Sequence, residues 1–456
     1  MTDDRLKNAA DRHLRCAAAE GCAEARLLMS RRAMLGITAS LFSWAYMPRF
    51  AQAAGVSDPR LLIVVLRGGM DGINVVVPNG DTNYVSMRGA IAIPAASTIP
   101  LDSFFGLHPA LPKFGAMFQN QDAAVVHATC IPLHNRSHFD GQDNLEAGTP
   151  GLIPANSTGW LNRLLTALPA GSLVKSHGAI QIDDAPLILR GPEPVLGWSP
   201  TWFEAVQNPA LHAVRSLYQS RDPDMSAALE RGLAANRLAT SVGGNDGDIS
   251  ALRKAFRGAG RLIAADDGPR IAVLSVYGWD THTDQGAATG QLADVLAELD
   301  LAIDDFKTVV GPVWANSVMV AATEFGRTVR INGDSGTDHG VGTVALLAGG
   351  AVNGGKVFGD WPGIGPDQLL DDSDLKPTTD LRSVFKGVLK DHIGVANSVL
   401  DSAIFPESKS DAPALKNLIK TTPGPAPMLA AGGVPLRVDS AIGRYRSRQA
   451  AQGNAT

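Results

Sequence analysis

The stretch Leu61-Leu62-Ile63-Val64-Val65-Leu66-Arg67-Gly68-Gly69-Met70-Asp71-Gly72 decides how the chain is read. Six consecutive apolar residues closed off by glycine read as a strand buried on both faces, the habit of strands in a mainly parallel sheet. The loop behind it holds Gly68, Gly69, Asp71 and Gly72, so its backbone can turn sharply and come close to a ligand. In open α/β sheets, ligands sit beyond the carboxyl ends of the strands. Asp71 therefore stands where a metal-binding or catalytic carboxylate is expected. The alternative is an Asp-Gly turn in a plain hairpin, with residues 73–77 as the returning strand. This stretch alone leaves both readings open.

The same pattern returns further along. Residues 123–129 read as a second buried strand, preceded by a short helix over 109–119. Residues 271–276 read as another strand, ending in Gly278-Trp279-Asp280-Thr281-His282. Asp280 and His282 are two apart, so in extended backbone both face one side. That spacing suits two ligands of one metal, or a carboxylate orienting an imidazole. The helix behind is amphipathic, with Leu292, Val295, Leu296, Leu299, Ile303 and Phe306 in one stripe. Residues 317–323 form the next strand, ending in Glu324-Phe325-Gly326-Arg327-Thr328; Glu324 and Arg327 read either as site residues or as a structural ion pair. Gly336-Thr337-Asp338-His339-Gly340 then precedes a strand over 343–347. One polar loop means little; four on one edge of a sheet make a site.

Between the second and third of these strands lies His134-Asn135-Arg136-Ser137-His138-Phe139-Asp140-Gly141-Gln142-Asp143. It can supply metal ligands such as His138, or a hydroxyl nucleophile, Ser137, at a helix start. Ser137 with Asp140 three residues on also resembles a capping box, with a helix running toward Gly148. The two readings are compatible. Cys130-Ile131-Pro132-Leu133-His134 is a near miss to the sulfatase motif, in which Arg takes the fifth place; Cys130 reads as a buried thiol at a strand end.

The N-terminus carries Ser30-Arg31-Arg32 before a moderately apolar run over 37–47 and a small-x-small site at Ala51-Gln52-Ala53. Paired arginines, apolar run and cleavage site in that order form a twin-arginine export signal, so the chain is expected to be periplasmic or secreted. The apolar run is too short for a stable membrane span. The chain has 40 Lys and Arg against 45 Asp and Glu, and residues 1–53 contain eight of the basic and five of the acidic ones. The remainder is acidic with no basic block, which gives no support for nucleic-acid binding. Cys16 and Cys22 fall in the leader, and Cys130 alone cannot form an internal disulfide.

Three segments complete the organisation. Residues 1–53 are the leader, and 54–406 an α/β domain with a helix-rich insert at about 201–265 that reads as a cap or side layer. A helix is expected from about 377 to 392. The tail, 407–456, is rich in Pro, Ala and Gly and reads as loosely packed.

Taken as an ordered set, L-R-G-G-M-D-G (66–72), R-S-H-F-D-G-Q-D (136–143), G-W-D-T-H (278–282), E-F-G-R-T (324–328), G-T-D-H-G (336–340) and G-D-W-P-G (359–363) resemble the exported bacterial family called domain of unknown function 1501. The resemblance runs from about Leu61 to Pro406. It implies membership of the alkaline phosphatase and sulfatase superfamily. That in turn implies a three-layer α/β/α sandwich with a mainly parallel sheet, and one or two divalent metals (zinc, calcium, magnesium or manganese).

Carried over by position, Asp71 matches the carboxylate after the first strand that binds metal in that superfamily. Asp280 and His282 resemble its later Asp and His ligands. His339 resembles its final histidine, with Asp338 beside it, and Ser137 falls near the nucleophile's place. Glu324 and Phe325 stand where an Asp-His pair is usual. This departure leaves open one metal rather than two, a ligand from His134 or His138, or a site without catalysis. The expectation is an exported metal-dependent hydrolase of phosphate or sulfate esters. Asp71, Asp280, His282, Glu324, Asp338, His339 and His138 are its candidate metal ligands. Ser137, Arg136 and Arg327 are its candidate catalytic residues, the arginines pairing with an anionic ester substrate. The alternatives are an exported binding or assembly protein that keeps the fold, and a sulfatase acting through a modified Cys130.

Overall fold

The computed structural model describes residues 58–420, except 184–185, 200–207 and, within 224–245, all but 225, 226, 229, 230, 233 and 237. The leader, part of the helical insert, and residues 421–456 lie outside the described residues.

The apolar run at 61–66 forms β1 (Arg60–Arg67), and each of its six apolar residues is at most 2% exposed. The other strands of its sheet are β2 (Ala123–Cys130), β3 (Ala179–Ile182), β4 (Leu196–Trp198), β5 (Ile271–Tyr277), β6 (Ser317–Thr323), β7 (Thr343–Ala348), β8 (Lys356–Phe358) and β9 (Thr379–Asp380). Their order is β8-β2-β7-β6-β1-β5-β3-β4, with β9 also paired to β2. Only β7 runs against the rest, antiparallel to both β2 and β6.

Alternate residues of β1 enter two separate cores. Leu62, Val64 and Leu66 pack with helices α1 (Pro112–Gln119), α5 (Ala251–Ala264) and α6 (Gln291–Val310) through Phe114, Phe256, Leu296 and Phe306. Leu61, Ile63 and Val65 pack on the other face, with α3 (Trp160–Ala167) and α7 (Leu381–Val388) through Trp160, Leu164, Val384 and Phe385. Each such buried side chain contributes roughly 1.5–3 kcal/mol. The result is a three-layer α/β/α sandwich around a mainly parallel sheet.

Two expectations need correction, and a third is narrowed. The hairpin reading of residues 66–77 fails: Gly72–Val75 is a helical turn, and Val76–Val77 pairs with Gly106–Leu107 in a separate small sheet. Helix α4 (Asn208–Arg221) lies in the expected insert, and α5 takes the side-layer alternative. Its Phe256, Ala259, Leu262 and Ile263 are buried, and it packs along α6 in the main helical layer. The packed chain also runs past Pro406, because Ser408, Ala412, Leu418 and Ile419 are buried and Ile419 bridges Val352. Among the described residues no helix is long and apolar enough to cross a membrane.

Register brings the polar loops together. Leu66 lies beside Val276 of β5 and beside Thr323 of β6, so the loops after these three strands leave the sheet at one level. The loop before antiparallel β7 and the loop after β2 emerge at the same edge. Gly68 has φ of 127°, and a Cβ there would lie 2.7 Å from the Asp280 backbone nitrogen. Only glycine lets the first loop pack so tightly against the second.

Candidate metal centre

Helix α2 (His138–Ala147) begins at this edge. Ser137 is its N-cap, with Oγ accepting weakly from Asp140 N at 3.4 Å, and Gly148 ends it in the left-handed conformation. The capping signals in the sequence thus mark both ends, and the cap places the first helical residue, His138, over the carboxyl ends of the strands. There His138, Asp280 and His339 converge, with one ligand atom from each lying within 4.8 Å of the others. His282 joins at their edge.

The geometry of each imidazole is set from behind. His138 Nδ1 donates to Glu324 Oε1 at 2.9 Å, and its Nε2 lies 3.4 Å from Asp280 Oδ2 with no hydrogen-bond partner. His339 Nδ1 donates to the Arg136 carbonyl at 2.9 Å, and its Nε2 lies 3.2 Å from Asp280 Oδ1. His282 Nδ1 donates to Asp338 Oδ1 at 3.3 Å, and its Nε2 lies 3.0 Å from Asp280 Oδ1. Oxygen acceptors on all three Nδ1 atoms leave each Nε2 facing the same carboxylate, the arrangement that orients metal-bound histidines. The Nε2 atoms of His282 and His339 are 2.9 Å apart. With both outer nitrogens donating, two lone pairs meet there, and they repel unless a proton or a cation lies between them.

The charges agree with a cation site. Burial works against the His138 imidazolium, but Asp280 and Glu324 outweigh it and raise that histidine to about 9. Burial also works against ionised Asp280, yet His138, His339 and Arg327 hold its carboxyl well below the usual range. A cation bound here would take the place of the imidazolium proton. The donor set of imidazole nitrogens and a carboxylate, with an orphaned Nε2 on His138, fits a divalent metal of the zinc type.

The remaining expected site residues do not face this centre. Asp71 is fully buried and ion-paired with Arg88, while its Oδ2 also accepts from Gln285 Nε2 at 2.6 Å. Arg88 and Gln285 engage Oδ2 alone, Oδ1 is buried with no hydrogen-bond partner, and Asp71 is not among the three residues that converge. Glu324 stands behind His138: Oε1 accepts from Gly68 N, Gln142 Nε2 and His138, and Oε2 from Thr323 Oγ1. Burial favours its neutral form, but the bonds from His138, Gln142 and Gly68 prevail and hold it below the usual carboxylate range. Asp338 stands likewise behind His282.

Arg327 is fully buried and donates to the carbonyls of Gly68, Gly69, Trp279 and Thr337 and to Asp280 Oδ1. It ties three loops together and cannot reach a substrate from that position, against the expectation that it pairs with an anion. Arg136 binds Asp374 and Asp371. Cys130 lies half-buried at the end of β2, and burial pushes its thiol up to about 12, so it is not a ready nucleophile. Gln142, Gln285, Thr281 and Thr337 also shape the site. No local pattern in the sequence marks them, since their roles depend on partners far along the chain.

No curated protein matches the chain in sequence. Among solved structures it is similar to the C-terminal periplasmic domain of EcEptC from Escherichia coli in complex with Zn, at 10% identity over 67% of this chain and 77% of that one, TM-score 0.33. It is also similar to the phosphonate monoester hydrolase of Agrobacterium radiobacter, at 11% identity over 73% of each chain, TM-score 0.30. The PsFucS1 sulfatase from Pseudoalteromonas sp. aligns at 12% identity over 79% of this chain and 72% of that one, TM-score 0.33. The family described as "Protein of unknown function (DUF1501)" matches residues 107–404, and the chain belongs to it.

Proposed function

We propose that this chain is an exported metal-dependent hydrolase of phosphate or sulfate esters, with a divalent ion held by His138, Asp280 and His339 and by His282 at their edge. One observation carries the reading: three imidazoles, each turned by an oxygen on its outer nitrogen, present their inner nitrogens to one carboxylate. The N/O donor set suits zinc first, since calcium, magnesium and manganese prefer oxygen-rich sites. A divalent metal bound there supplies Lewis acidity toward an ester oxygen. Glu324, Asp338 and the Arg136 carbonyl hold the imidazoles in orientation. Ser137, adjacent to His138 at the start of α2, offers a hydroxyl where the first-turn amides favour negative charge. The paired arginines of the leader direct the chain to the twin-arginine machinery, and so to the periplasm or beyond.

The test is elemental analysis of the exported protein, wild type beside the Asp280→Ala/His282→Ala double variant, followed by aryl phosphate and aryl sulfate esters as substrates. Stoichiometric metal in the wild type alone, with ester turnover, is the expected result. Absence of metal from a folded wild type would end the reading.

A second reading is an exported binding or assembly protein with a structural metal. It is favoured by the engagement of both candidate substrate arginines, Arg327 by backbone carbonyls and Arg136 by two aspartates. Bound metal with no turnover of either ester class would select it.

A further inference from the structure

The two ligand-bearing loops meet over one buried amide. Gln285 is fully buried, and its Oε1 accepts from Thr281 Oγ1 at 2.8 Å and from Thr337 Oγ1 at 2.7 Å. Thr281 stands between Asp280 and His282; Thr337 stands two residues before His339. A single oxygen therefore spans the loops that carry three of the four residues at the centre. The orientation of that amide is fixed in turn. Gln285 Nε2 donates to Asp71 Oδ2 at 2.6 Å, so the amide oxygen must face the threonines. Asp71 is held by Arg88, which also donates to the carbonyls of Thr328 and Val329 and to Asn74 Oδ1. Backbone pairing supports the same contact, with Thr337 N donating to Thr281 O at 3.1 Å.

We infer that Gln285 is a positioning residue that sets the separation of Asp280 and His282 from His339, and that Asp71 acts on the metal centre by orienting this amide. The inference rests on the metal-centre reading. A fully buried glutamine with both ends of its amide satisfied holds its place more firmly than a surface contact would, because any rotation leaves a buried polar group unpaired. It differs from a general packing role in its consequence: the spacing of the ligands should change while the fold remains. Partners of this kind typically alter metal affinity by roughly 10–100-fold when removed.

The experiment measures Zn²⁺ affinity by chelator competition, and the visible absorption of the Co²⁺-substituted protein, on the full mature chain. Thr337→Val removes one hydroxyl at nearly constant shape, and Gln285→Met removes the amide at nearly constant size. Both are expected to bind one ion with affinity lowered roughly 10–100-fold and with a shifted Co²⁺ spectrum. The double variant Asp71→Asn/Gln285→Glu exchanges amide for carboxylate, keeping one donor, one acceptor and the total charge. It is expected to bind more tightly than Asp71→Asn alone. If Gln285→Met fails to fold, Thr337→Val decides. Wild-type affinity and spectrum in folded Thr337→Val and Gln285→Met would overturn the inference while leaving the centre intact. A folded wild type that binds neither Zn²⁺ nor Co²⁺ would overturn the metal-centre reading, and the inference with it.

Discussion

Glu324 Oε1 lies 2.9 Å from His138 Nδ1, although 186 positions separate the two residues. The contact fixes which nitrogen of His138 faces Asp280, and it joins the loop after β6 to the start of α2. Replacing Glu324 by Gln removes the charge behind the imidazole and disturbs the bond to Gly68 N or to Gln142. The expected outcome is a zinc affinity lower by roughly 10–100-fold at unchanged stoichiometry. Chelator competition on the folded variant checks it, and an unchanged affinity would remove Glu324 from the site.

Arg327 is expected to behave as a structural clamp. Its guanidinium serves four carbonyls and Asp280 with no exposed surface. Arg327→Met leaves the four carbonyls without this donor in the interior, so the free energy of unfolding should fall by about 3 kcal/mol or more. Denaturant unfolding measures this directly. A variant of normal stability with only a raised KM for an anionic ester would instead return Arg327 to the substrate.

Much of the frame can be read in the sequence because it depends on local order. The runs at 61–66, 123–129, 271–276 and 317–323 all lie in strands of one sheet, since runs this rich in apolar residues are satisfied by burial on both faces. Ser137 and Gly148 mark the ends of α2 because capping is local chemistry. The loops with acid and histidine share one edge because those after β1, β5 and β6 follow parallel strands, while that at 336–340 enters the antiparallel β7 from the same end. What could not be read is which polar side chain turns outward. Asp71 and Asp280 follow neighbouring strands and look alike in the sequence. Asp71 meets Arg88, 17 residues on, and is withdrawn, whereas Asp280 remains 46% exposed beside three histidines. Such choices depend on distant partners, and periodicity carries no record of them.

His127 gives the fold a pH dependence of its own. It is fully buried on β2; Nε2 donates to Val76 O at 3.0 Å and Nδ1 accepts from Ala128 N at 2.8 Å. The neutral ring is fully satisfied, and burial lowers its pKa from 6.5 to about 4. Between these values the unfolded chain binds the extra proton and the folded one does not, so stability rises with pH. The contribution is complete above 6.5 and is lost as pH falls toward 4, by roughly 3 kcal/mol in all. Asp300 works the other way: burial raises it to about 6, and what it contributes is present below 3.8 and lost as pH rises through 6. The unfolding free energy of His127→Gln, compared with wild type from pH 7 to 4, should lack the His127 slope. Parallel curves would show that His127 does not titrate in this window.

Asp71→Asn separates the buried pair from the metal. Arg88 and Asp71 are both without exposed surface, so removing the carboxylate charge leaves a guanidinium uncompensated in the interior. Loss of one partner from such a pair costs about 3–5 kcal/mol. The melting temperature should therefore drop clearly. At saturating zinc, however, the variant should still hold as many ions per chain as the wild type, because Asp71 lies outside the group of His138, Asp280 and His339. Its weaker binding at low zinc then reflects the misoriented Gln285 amide. Elemental analysis after equilibration in excess zinc and removal of the unbound ion decides between the two roles. Loss of one whole equivalent in a folded Asp71→Asn would make Asp71 a ligand of a second ion, and the buried ion pair a feature of the metal-free protein.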